Sequence, residues 1–390
     1  MSRKKKDRSV VPGFILQMFI GAFLGGFCGF YGAKTGFHMM GGEKSILGML
    51  LGVLLVALEI WLSLYLQTII HEGGHLVCGL LNGYGFVSFR VGSRILIKSQ
   101  DKLRVKKYSL MGTAGQCLLS PPKWEEDRFP YVFYNIGGCL FNLIFSAVFI
   151  ILHFLLKENT YVSGAFLVAG IIGFYLAVMN GIPLRIGGIE NDAFNIRAMK
   201  RSLQARRSFW IIMEANAQNA RGIRAKDMPS EWFEMPSDES LDNSLTASVA
   251  VLACNRAMDE KELEKAWEMG NHLLKVERGM SQVHRYMGTL DMLFCALILD
   301  KEPGKFIKEY ESKKFAKILK SLSAFPSVLR ACYAYELLYK RDISAAEKKK
   351  AQFEALAKTY PYECEIESER ELMSIAEEKA KQETSAGCDL

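Results

Sequence analysis

The chain reads as an all-α polytopic membrane protein that carries a small β-hairpin at the membrane surface and a soluble helical-repeat domain. Three observations predict that class. Half of the 390 residues are hydrophobic, yet 23% are charged, a mixture that one class of protein explains poorly. The two kinds segregate, with long apolar runs before about residue 183 and most of the charge after it. The segment His71-Glu72-Gly73-Gly74-His75 stands at the end of one of those runs. A chain of this length has room for a membrane domain, 1–200, a helix and linker, 201–240, and a soluble helical domain, 241–381, ending in a short frayed tail, 382–390.

Four apolar runs are long enough to cross about 30 Å of hydrocarbon: Val10–Tyr31, Ile46–Leu66 continuing into the histidine motif, Tyr131–Leu156 and Tyr161–Ile182. Orientation follows from the basic residues. Arg3, Lys4, Lys5, Lys6 and Arg8 precede the first run, and eight Lys or Arg against Asp101 alone lie between Asn82 and Lys123. Arg185, Arg197, Lys200, Arg201, Arg206 and Arg207 follow the fourth run. The positive-inside rule then places both termini in the cytosol of a multi-pass protein of the cell membrane. The net charge of +7 reads as topology and contact with an anionic leaflet of the lipid bilayer. No nucleic-acid-binding signature accompanies it. Nine cysteines without a CxxC pair are no disulfide framework or cysteine zinc site.

Between the second and third runs, Gly85–Val91 alternates apolar with small or polar residues, Gly92-Ser93 follows, and Arg94–Ile97 continues. This pattern predicts a two-stranded hairpin, whose edge can hold an extended peptide by strand pairing. Glu59 is the one charge inside the second run and is expected to face another span.

On a helix, His71 and His75 share a face and can offer two imidazoles to one metal ion, and Glu72, about 100° round the same turn, is placed to act as a general base. A catalytic zinc site takes a third protein ligand. His153 lies near the opposite end of the third run, and His38, His272 and His284 lie elsewhere in the chain. The acidic candidates are Glu190 and Asp192, which follow Asn180-Gly181-Ile182-Pro183, where proline and Gly187-Gly188 break the helix and let the chain fold back.

HEGGH on an apolar helix, Gly137-Gly138-Cys139-Leu140-Phe141-Asn142 early in a later run, and Asn180-xx-Pro183 followed by an aspartate resemble the site-2 protease family of intramembrane zinc metalloproteases. The resemblance covers roughly residues 45–200, the family's three-span core. It implies one Zn²⁺ per chain on His71, His75 and Asp192, Glu72 as catalytic base, and Asn142 and Asn180 as groups that hydrogen-bond the substrate backbone or the developing oxyanion. The implied activity is hydrolysis of a peptide bond in a membrane-embedded or membrane-associated protein or peptide.

Beyond Phe209–Ala220, expected as one more helix, Lys226–Ser240 reads as a linker because of Pro229, Pro236 and its acids. From about 241 onward, helical runs are expected near 241–257, 260–275, 281–299, 304–322, 326–340, 343–360 and 363–381. The pair at Val328–Pro361 resembles a tetratricopeptide repeat, without that family's tryptophan-leucine-glycine signature, and implies a protein or peptide partner. The residues leave a second reading open, a membrane-anchored helical-repeat adaptor with a structural or vestigial zinc site.

Overall fold

The computed structural model describes residues 22–388, apart from 23, 24, 28, 36, 39, 41–44, 100, 101, 110–112, 127, 187, 188, 277 and 278. Most of the first expected span, Val10–Tyr31, lies outside the described residues. The chain forms two compact units. One comprises the chain up to Gly83 with Pro130–Lys200, and the other comprises Tyr84–Phe129 with Arg201 onward.

The first unit is built on helices α1 (Ile46–Leu81), α2 (Tyr131–Leu155) and α3 (Thr160–Gly181), each long and apolar enough to cross a membrane. Their residue distribution is inverted relative to a water-soluble bundle. Along α1 the buried positions include Gly48, Gly52, Ser63 and Gln67, while Leu47, Leu50, Leu54, Leu58 and Trp61 are exposed. Small and polar residues inside with large apolar ones outside is the arrangement expected when the surroundings are as apolar as leucine. Ser45 caps α1 by accepting from the Gly48 amide, and Gly83 at φ +81° follows its end, a conformation that suits glycine.

At 36 residues α1 is a single helix of about 54 Å, against about 30 Å of hydrocarbon. The histidine motif therefore sits in an unbroken continuation of the expected second span. Helix α2 crosses α1 where Gly74 meets Gly137. A Cβ added to either would collide with the backbone carbonyl of the other. Helix α3 packs against both α1 and α2. His153, a histidine with no expected metal role, ties α2 to α3 through Ser163. Glu59 lies close enough to Tyr31, in the segment before α1, to interact with it electrostatically.

After α3 the chain turns at Pro183 through a short hairpin, β5 (Arg185–Ile186) with β6 (Ile189–Glu190), into helix α4 (Asp192–Arg201). The hairpin and α4 return the chain to the bundle, and Asn191 fastens the return. Its amide nitrogen donates to the carbonyls of Met179 and Ile182, each at 2.6 Å. Its oxygen accepts from the amides of Leu184 and Phe194, the latter capping α4. Asparagine is a favoured N-cap because its side chain satisfies an amide that the first turn leaves unpaired.

The second unit corrects the sequence reading in four places. The expected hairpin is half of a four-stranded antiparallel sheet in the order β3-β2-β1-β4, made of β1 (Gly85–Val91), β2 (Arg94–Ser99), β3 (Lys102–Lys107) and β4 (Gly115–Ser120). The Gly92-Ser93 turn is as expected, with Val91 opposite Arg94 and Gly92 at φ +59°. The sheet belongs with the helical unit, because Val87, Ile95, Ile97 and Leu118 bury into the same core as Leu293, Phe294, Phe306 and Phe353. Strand alternation showed that one face was apolar, and nothing local named what would cover it.

The linker reading of Lys226–Ser240 is replaced by packed 3₁₀ turns, with Met228, Trp232 and Phe233 buried. Prolines and acids mark the turns, and the aromatic residues between them supply the packing. The run 304–322 is two helices, Gly304–Tyr310 and Lys313–Leu322, divided at Ser312, whose hydroxyl caps the second by accepting from the Phe315 amide. The last helix, Glu363–Cys388, continues through most of the expected tail. Helix Leu203–Ala220 starts well before the expected Phe209, and from Ser244 onward the other helices begin and end close to the expected boundaries. Buried Arg330 joins three of them by pairing with Asp291 and Glu369 while lying over the Phe294 ring at 4.3 Å.

Candidate metal site

His71, His75 and Asp192 converge in the first unit, with one ligand atom from each lying within 4.8 Å of the others. Helix α1 supplies the two histidines one turn apart, and α4 supplies the aspartate from its first turn. His71 Nε2 lies 3.2 Å from His75 Nε2, and Asp192 Oδ2 lies 3.2 Å and 3.4 Å from the two nitrogens. A tetrahedral ion with ligands at about 2.0–2.1 Å sets its donors about 3.3 Å apart. The three atoms therefore occupy the corners that such an ion requires.

The second nitrogen of each ring decides what the first one presents. His71 Nδ1 faces Asn142 Oδ1 at 2.7 Å, and His75 Nδ1 faces the Tyr134 carbonyl at 2.8 Å. Oxygen acceptors at Nδ1 hold the proton there in a neutral imidazole and leave the Nε2 lone pair bare. Two lone pairs and a carboxylate oxygen at these separations repel one another unless a cation lies among them. Asp192 Oδ2 is buried and makes no hydrogen bond among the described residues. The donor set thus fits a metal ion.

Glu72 is 8% exposed and near enough to His75 to interact with it electrostatically. Glu190, the other acidic candidate, stands apart from the group, within 3.8 Å of Arg185 across the short hairpin. Asn142 is fully buried. Its oxygen serves His71, and its amide nitrogen donates to the Gln67 backbone and side-chain oxygens at 2.9 Å and 2.8 Å. These partners differ from the substrate-facing role expected of it. Asn180 donates to the Leu176 carbonyl one turn back in its own helix, and no described contact brings it to the metal group.

The sequence reading missed two contributors and quoted a third, Gly138, without giving it a role. Asn191 positions the turn that carries Asp192, and the signal was an asparagine directly before an acidic first turn. Gln67 is the second, and helical spacing places it on the His71 face four residues earlier. Gly138 is the third, because a Cβ there would run into the His71 imidazole. In Gly137-Gly138, the first glycine admits the crossing helix and the second admits the His71 ring.

The two glycines of the histidine motif are expected to behave differently. A Cβ on Gly73 meets nothing within 4 Å, whereas one on Gly74 meets the Gly137 carbonyl. Gly73→Ala should keep full metal content and stability, since alanine gains up to about 1 kcal/mol in helix propensity. Gly74→Ala should lose about 1–3 kcal/mol through overpacking. Thermal unfolding of the two variants checks this; equal melting temperatures would contradict the crossing geometry.

No family model, curated protein or solved structure matches this chain.

Proposed function

We propose that the chain is an intramembrane zinc endopeptidase of the site-2 protease type, which hydrolyses a peptide bond in a membrane-embedded or membrane-associated protein or peptide. One observation carries this reading: His71 and His75, with Glu72 between them in the chain, lie on a helix apolar enough to cross a membrane, and Asp192 from α4 brings a third donor atom to the two histidines. An acid adjacent to two histidines at helical spacing is the arrangement of metal-assisted peptide hydrolysis. Zinc, when bound, supplies a Lewis acid that makes water a nucleophile near neutral pH and polarises a carbonyl.

The remaining chemistry belongs to the chain. Glu72 accepts the proton of the attacking water and returns it to the leaving amine. Asn142 and the Tyr134 carbonyl hold the two imidazoles with Nε2 toward the ion, the role that outer partners of metal ligands ordinarily play. A helical substrate hides its carbonyls in its own hydrogen bonds, so the segment to be cut must unwind. In this reading the protein is multi-pass with both termini in the cytosol, as its basic loops require, and the helical unit binds a protein or peptide partner.

The test is metal-dependent cleavage. Purified protein in lipid nanodiscs, incubated with solubilised membrane proteins, should create new peptide termini within or beside apolar segments. A zinc chelator should abolish them and added zinc restore them. If no termini depend on the metal, and deletion of 241–390 alone removes the protein's effect in cells, the protease reading falls and a membrane-anchored adaptor takes its place.

A further inference from the structure

Gln67 has no part in the chemistry described so far, yet it is fully buried on a helix whose outer surface is leucine-rich. Its side chain makes two directed hydrogen bonds. Nε2 donates to the Ala169 carbonyl of α3 at 2.9 Å, and Oε1 accepts from Asn142 Nδ2 of α2 at 2.8 Å. Asn142 Oδ1 in turn faces His71 Nδ1 at 2.7 Å. A buried polar group at this depth is expensive unless every atom is satisfied, and here each amide atom has a partner.

The polarity of the chain of bonds follows from the two backbone carbonyls it meets, those of Ala169 and of Gln67 itself. A backbone carbonyl can only accept, so the Gln67 amide must turn its nitrogen to Ala169 and its oxygen to Asn142. Asn142 must then turn its nitrogen to Gln67, whose backbone carbonyl accepts its other N–H at 2.9 Å, and its oxygen to His71. His71 must carry its proton on Nδ1 and expose the Nε2 lone pair. Reversing any amide would set two acceptors or two donors face to face.

We infer that Gln67 is a positioning residue for the metal site, passing the orientation of the Ala169 carbonyl through Asn142 to the His71 tautomer. This inference rests on the metal-site reading above. His75 needs no such relay, because a backbone carbonyl faces its Nδ1 directly. The fold makes room for the relay at Gly173, where a Cβ would collide with Gln67 Nε2 and Ser146 Oγ. Ser146 donates instead to the Gly170 carbonyl at 2.7 Å and leaves the Ala169 carbonyl to Gln67.

Two substitutions separate relay from packing. Gln67→Met keeps the length and bulk and removes both side-chain hydrogen bonds, leaving Asn142 with the backbone carbonyl of residue 67 alone to hold its amide. Gln67→Glu, neutral at this depth, keeps an oxygen for Asn142 and an O–H for Ala169. Full-length protein is titrated with Zn²⁺ against a competing chelator. ¹⁵N-histidine-labelled, metal-free protein reports the His71 tautomer, its signals identified by their loss in His71→Ala. Gln67→Met should weaken zinc binding by about 10–100-fold, the effect usual for outer partners of metal ligands. It should also move His71 toward the Nε2–H form, while Gln67→Glu stays within about threefold of wild type with the tautomer unchanged.

Unchanged affinity and tautomer in Gln67→Met would overturn the inference. So would equal losses in both variants with the tautomer intact, which is the mark of packing alone. Should Gln67→Met not fold, Gly173→Ala displaces the same amide from the neighbouring helix and must shift affinity and tautomer together. The metal-site reading fails separately, if wild type binds no zinc or His71→Ala binds it fully.

Discussion

Replacing Glu72 by glutamine is expected to lower peptide-bond hydrolysis by at least about 10²-fold, within the range that a positioned general base contributes, while zinc content stays at the wild-type level. Glutamine matches glutamate in shape, so the buried position accepts it without repacking. The amide cannot take a proton from water. No ligand atom changes, because the converging set is His71, His75 and Asp192. In cells the variant should accumulate an uncut membrane protein, which crosslinking and mass spectrometry would identify. Wild-type turnover in Glu72→Gln would remove Glu72 from the chemistry, and the protease reading with it.

Removing a ligand should act on the metal itself. Purified protein is expected to hold about one zinc per chain, and His71→Ala, His75→Ala and Asp192→Ala should each lose most of it. Zinc binding worth about 10–16 kcal/mol over four ligands assigns about 3 kcal/mol to each, a loss of about 10²-fold in affinity. Glu190→Gln should keep its zinc, because Glu190 faces Arg185 across the hairpin and lies outside the converging group. Metal analysis of the four variants reads the result directly. Full occupancy in the first three would eliminate the site, and loss in Glu190→Gln with retention in Asp192→Ala would transfer the third ligand to Glu190.

Much of the site was legible because helical periodicity acts over one turn. His71 and His75 share a face by spacing alone, and the end of α3 was marked by Pro183. The three apolar helices were legible for a related reason, since a membrane sets a length that composition can meet without reference to any partner. Helix boundaries in the second unit were mostly readable, because Pro326, Ser281, Asn243 and Asp342 start helices locally, by conformation or by capping.

The companion of each element was not readable. Sequence pattern set the strands of the sheet, but only the shared core of Ile95, Ile97 and Phe294 assigns it to the helical unit. The choice of Asp192 over Glu190 was equally remote. The two are two residues apart, and the turn held by Asn191 brings Asp192 to the histidines and leaves Glu190 with Arg185. The role of Asn142 was decided last, by Gln67 and His71, the residues that fill its hydrogen bonds. By itself the sequence determined which residue types can hold a metal ion and where most of the helices run, because composition and local hydrogen bonding encode both. Which residues meet was decided by the tertiary structure alone, because a buried amide or carboxylate takes its partner from whatever chain the packing brings within about 3 Å.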